Sequence, residues 1–108
     1  MSIKVFRGDT FKFNFNSALE DGTPYKFQPG DLIKVGIKTR LSNPRCAVLK
    51  TITIEEETDL IKVIFPHEET KKWCEGDKIL EVELTDTQGN VYTVLQEKMT
   101  IVGDVINE

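Results

Sequence analysis

Two cysteines, Cys46 and Cys74, and one histidine, His67, are all the thiol and imidazole chemistry in this 108-residue chain. Two cysteines are too few for a disulfide scaffold. Both read as thiols that fill space, with a single bridge as the lesser alternative. Structural zinc needs clustered Cys and His ligands, which three such residues do not supply. A Cys–His nucleophile would need His67 beside one of the thiols, and no spacing arranges that. No apolar run is long enough for a transmembrane helix. The opening MSIKVFRGDT lacks the apolar core of a signal peptide. If it is the natural start, the protein is made and kept in a cytosol unless an assembly carries it out. Basic residues are outnumbered, with 14 Lys and Arg against 18 Asp and Glu. That balance argues against nucleic acid as the main partner, because phosphate binding needs clustered cations. GxGxxG, P-loop and GxSxG motifs are all missing, and with them the commonest nucleotide and acyl-transfer sites.

What is present is alternation. In RGDTFKFNF, Phe11, Phe13 and Phe15 fall on one side of an extended chain, with Lys12, Asn14 and Asn16 on the other. Burying a phenylalanine is worth roughly 1.5–3 kcal/mol, so three of them set the register firmly. Gly8-Asp9, between this run and Ile3-Lys4-Val5-Phe6, is turn chemistry. The tripeptide Arg7-Gly8-Asp9 matches an adhesion motif, but three letters carry little information without structural context. A bend between two short strands is the simpler reading.

The same period recurs downstream. Residues 32–39 alternate Ile33, Val35 and Ile37 with Lys34, Gly36 and Lys38. Residues 46–55 are rich in β-branched side chains, but Leu49 and Ile52 have opposite parity, which predicts a bulge near Lys50. An acidic turn follows, and then a strand over 60–65; the pair reads as a hairpin. Residues 66–73 hold the only helical signal, one or two turns opened by Pro66. Leu80, Val82 and Leu84 alternate with Glu81 and Glu83, and Asp86 to Asn90 form a hairpin loop before the last strands. About seven to nine short strands with turns every 8–12 residues predict one all-β domain over 1–108. The expected architecture is an antiparallel, immunoglobulin-like β-sandwich. Its expected core is Phe11, Phe13, Phe15, Ile33, Val35, Ile37, Ile52, Ile54, Leu80, Val82 and Leu84.

Candidate chemistry thins out on inspection. Glu81 and Glu83 share a face, as a glycosidase pair would, but that face lies opposite the apolar one and reads as solvated. Asp86-Thr87-Gln88-Gly89-Asn90 faintly resembles a calcium loop, yet a turn accounts for it. The residues point to no catalytic group, metal or cofactor.

The order of elements says more. RGDTFKFNF, then DGTPYKFQPGDLIKVGIK, a corner Phe65-Pro66-His67-Glu68-Glu69-Thr70, and finally ILEVELTDTQG form a succession that resembles small phage and prophage tail proteins. It is similar to the N-terminal sandwich domain of the baseplate upper protein family. The family's aromatic before Glu-Val is Ile79-Leu80 here, and its glycine before the last strand is replaced around Gln96-Glu97-Lys98. The resemblance implies a non-enzymatic attachment module, with other tail or baseplate proteins and copies of itself as partners. It implies assembly in a host bacterial cytoplasm and residence in the virion tail, with no nucleic acid or membrane partner. The alternative is a stand-alone binding module, for example for carbohydrate, with Tyr25, Trp73 and Tyr92 as stacking platforms. For docking, the short apolar edge around Ile3 and Val5 is one candidate. The loop carrying Arg40, Leu41 and Arg45 is the other, since arginine is enriched at interfaces.

Overall fold

The computed structural model describes residues 2–19, 21–38 and 48–103. Seven strands and one short helix follow in order: β1 (Ser2–Phe6), β2 (Phe11–Phe15), β3 (Leu32–Lys38), β4 (Val48–Thr53), β5 (Ile61–Phe65), α1 (His67–Thr70), β6 (Gly76–Thr85) and β7 (Val91–Val102). They form a mixed five-stranded sheet of order β1-β7-β6-β3-β4 and a separate antiparallel ribbon of β2 and β5.

One hydrophobic cluster draws on both sheets, because each turns its apolar parity inward. Ile33, Val35 and Ile37 of β3 stand across from Leu84, Val82 and Leu80 of β6, and all six are buried. From the ribbon come Phe15, Ile61, Val63 and Phe65. Phe11, Phe13 and Ile52 are half-buried at the margin of this cluster, and the rest of the expected core is buried. Val5 of β1 and Met99 and Ile101 of β7 join it, and so do two residues outside any strand. Phe27 lies between two turns and is wholly buried, with edge-on contacts to Phe15 and Tyr25. Trp73 is 5% exposed and sits edge-on to Phe65, with ring centroids 5.1 Å apart.

Three expectations need correction. The strands over 46–55 and 60–65 are not a hairpin: β4 pairs with β3, and β5 pairs with β2. The acidic stretch between them instead carries the chain from one sheet to the other. It is pinned midway, where Phe27 and Thr58 exchange backbone hydrogen bonds of 2.7 and 3.1 Å. Next, β4 has no bulge. Val48, Lys50 and Ile52 share the inward parity, and Leu49 is 71% exposed. The pattern looked broken because its middle inward position is a lysine. Lys50 runs its stem over the Phe65 ring, 4.9 Å from the centroid, and its Nζ donates to the Ile64 carbonyl at 2.7 Å. This cation ties β4 of one sheet to β5 of the other. The register shift lies elsewhere, between Val82 and Glu83, where Val94 is the extra residue of β7. Finally, the large sheet is not purely antiparallel, since β1 runs parallel to β7 from Ser2↔Lys98 to Phe6↔Val102. β1 leaves through a bend into the other sheet rather than through a hairpin, so no tight turn dictates its direction.

Candidate functional site

The Arg7-Gly8-Asp9 segment is a latched bend. Gly8 has φ +94°, a left-handed conformation that side chains resist. Its N–H donates to Thr70 Oγ1 at 3.1 Å, and that hydroxyl donates to the Asp9 carbonyl at 2.7 Å. Thr70 is wholly buried, so the last residue of the Phe65–Thr70 corner is the peg on which the bend hangs. Pro66 opens α1, and its carbonyl accepts the Thr70 N–H at 3.2 Å, which seats the peg. The Arg7 N–H bonds to the Val102 carbonyl at 2.8 Å, and its guanidinium lies 3.7 Å from Glu75. Backbone ties on either side of Gly8 thus hold the tripeptide in the fold.

Of the docking candidates, Ile3 and Val5 point toward the core, with Val5 buried. What β1 offers outward is its backbone edge and the pair Lys4 and Phe6, whose ammonium and ring lie 5.8 Å apart. That edge has no strand beside it among the described residues. β1 pairs only with Lys98–Val102 of the twelve-residue β7, and among the described residues no strand pairs with the preceding stretch 91–96 on that side. Arg40, Leu41 and Arg45 lie outside the described residues.

The aromatic candidates separate. Trp73 is core and presents no platform. Tyr25 and Tyr92 instead share a hollow of about 390 Å³, formed where the 17–25 segment meets the end of the β6–β7 hairpin. Ala18, Leu19, Leu84 and Val94 supply its apolar wall. Ser17, Thr93 and Asp86 supply oxygen atoms. The Pro29-Gly30-Asp31 turn places Tyr25. Asp31 is buried, and its Oδ2 accepts both the Tyr25 hydroxyl and the Gln28 N–H at 2.9 Å. Burial first, and then the bond to Asp31, push the Tyr25 phenol up to about 12. Asp86 caps its own turn. Its Oδ1 accepts N–H groups of Gln88 and Asn90 at 2.9 Å, and these turn donors hold the carboxyl below the usual carboxylate range, with the Asn90 backbone foremost.

The remaining candidates form no catalytic cluster among the described residues. His67 is exposed and pairs with Glu68 at 3.1 Å. Cys74 is not the space-filling thiol expected: it is disulfide-bonded. Cys46 lies outside the described residues. Glu81 and Glu83 lie on the outer face, where Glu81 accepts from Gln96 at 3.1 Å and Glu83 stands across from Lys34. Cross-strand pairs of this kind stabilise a solvated sheet face. Comparison with protein-family models and with curated proteins finds no match.

Proposed function

We propose that this chain is a non-enzymatic structural protein of a phage or prophage tail, an attachment module of the baseplate that acts through protein–protein contacts. Its finer architecture is read as an immunoglobulin-like β-sandwich forming one domain over 1–108. The hydrophobic cluster shared by the two sheets supports that reading. The resemblance in element order supplies the class. The observation that carries the mechanism is the stepped sheet edge, where β1 is short and β7 runs past it. Open edges are templates for an added strand, and natural proteins protect them or use them. The partners are other tail or baseplate proteins, with self-association head to tail as a further mode. Nucleic acid and membrane have no part in this function. The chain is made in the host cytoplasm and ends in the virion tail.

The test is incorporation. A tagged copy is expressed in the source bacterium, particles are induced and purified, and tails are probed for the tag. Stoichiometric presence in tails is the expected result, and absence from every particle fraction refutes the assignment. Arg40→Glu with Arg45→Glu is expected to leave the circular dichroism spectrum unchanged and to weaken incorporation. Normal incorporation of that double variant would remove the arginine loop from the docking surface.

A further inference from the structure

The hollow beside the β6–β7 hairpin takes Tyr92, Thr93 and Val94 from the stretch of β7 that runs past β1, and its wall has a chemistry that strand pairing does not use. Its volume, about 390 Å³, lies near the small end of the roughly 300–1,000 Å³ seen for small-molecule sites. Two tyrosine rings enter it from different parts of the chain, one on the 17–25 segment and one on β7. Tyr92 is 52% exposed and Leu19 is 51% exposed, so large apolar surface is presented to solvent at the mouth. Among the described residues no lysine, arginine or histidine lines it, and the Asp86 carboxylate disfavours an anionic ligand. Asp86, the charged residue among the described residues of the wall, is held in place by its own turn. Gln88 and Asn90 donate to Oδ1, and the Asn90 side chain donates to Oδ2 at 3.2 Å. It keeps its negative charge and is a strong hydrogen-bond acceptor for hydroxyl donors. The Tyr25 hydroxyl donates to Asp31, which leaves its oxygen lone pairs free to accept. Ser17 and Thr93 add hydroxyls that both donate and accept.

Aromatic faces beside a carboxylate acceptor and hydroxyls match the surface of a sugar. A pyranose has an apolar C–H face that lies flat on a ring, and a rim of hydroxyls that both donate and accept. We propose that this hollow binds a neutral saccharide, with one sugar ring against Tyr92 and its hydroxyls directed to Ser17, Thr93, Asp86 and the Tyr25 oxygen. The binding is non-covalent.

The experiment is an amide-shift titration of the isotope-labelled full chain. The probes are methyl β-D-glucopyranoside, methyl α-D-mannopyranoside, N-acetyl-D-glucosamine and their short oligomers, with tetramethylammonium in a separate arm. At least one saccharide is expected to give saturable shifts centred on residues 17–25 and 84–94. Tyr92→Ala is expected to weaken binding about tenfold or more. Tyr92→Phe keeps the ring and is expected to bind within a few-fold of the native chain. Because Tyr92 is half-exposed, both variants are expected to keep the native circular dichroism spectrum. The proposal is overturned if no saccharide gives saturable shifts. It is equally overturned if tetramethylammonium alone produces them, which would make the hollow a site for an organic cation. Unchanged affinity in Tyr92→Ala would also overturn it.

Discussion

Replacing Thr70 with valine keeps the shape of the side chain and removes its oxygen. The hydroxyl holds two chain segments together, accepting the Gly8 N–H at 3.1 Å and donating to the Asp9 carbonyl at 2.7 Å. Both contacts span more than sixty residues of sequence, so no local structure replaces them. Each hydrogen bond contributes about 1 kcal/mol net, and a donor or acceptor left without a partner costs about 1–3 kcal/mol. Gly8 and Asp9 are partly open to water, which will recover some of that. The expected loss for Thr70→Val is therefore about 2 kcal/mol, a large share of the roughly 5–15 kcal/mol that holds a small domain together. For a domain of this size it corresponds to a fall in Tm of about 8 °C or more. Thr70→Ser keeps the oxygen and loses one buried methyl, which should cost about 1 kcal/mol or less. Urea unfolding followed by far-UV circular dichroism reads both variants against the native chain. The reasoning fails if Thr70→Val unfolds at the native midpoint, or if the serine variant is as damaged as the valine variant. The first result would mean that the bend at Gly8 holds itself, and the second that the buried methyl rather than the oxygen carries the effect.

The register of the large sheet makes a paired prediction. Leu80→Ala, at a wholly buried site, should destabilise by about 2–5 kcal/mol, whereas Leu49→Ala, at an outward site, should change stability by no more than about 0.5 kcal/mol. Equal urea midpoints for the two variants would contradict the inward and outward faces described above. Gly8→Ala, at φ +94°, should cost about 1 kcal/mol or more, read by the same melt; no loss would mean that the bend tolerates a side chain. Tyr25 makes a pH prediction. Its folded pKa is raised to about 12 from an ordinary 10.0, so the native state holds this proton more tightly than the unfolded chain does. Its contribution to stability is complete below pH 10 and is lost as pH rises toward 12. Between pH 9 and pH 11.5 the native chain should therefore lose more stability than Tyr25→Phe, and parallel declines would refute the coupling.

Local alternation was enough to say which side chains of β2, β3 and β6 face inward. A strand's two faces are set by the period of its own residues, and burying one face leaves only one parity workable. That is why Phe15, Val35 and Val82 were legible as core without any knowledge of their neighbours. The bend at Gly8-Asp9 and the single helical turn after Pro66 were legible for the same reason, since turn chemistry is local. Which strand lies beside which was not. β4 and β5 look like a hairpin because they are adjacent in sequence, yet each finds its partner in a different sheet. The parallel pairing of β1 with β7 joins the two ends of the described chain, a contact that no window of sequence contains. Lys50 read as a break in the pattern until its ammonium found the Ile64 carbonyl on a strand of the other sheet. Phe27 and Trp73 lie among turn and helix signals, so no period announced their burial, and packing against distant rings decided it. The hollow between Tyr25 and Tyr92 belongs wholly to the tertiary level. Sequence lists the two tyrosines more than sixty residues apart, and only the return of the 17–25 segment over the β6–β7 hairpin brings them to one wall.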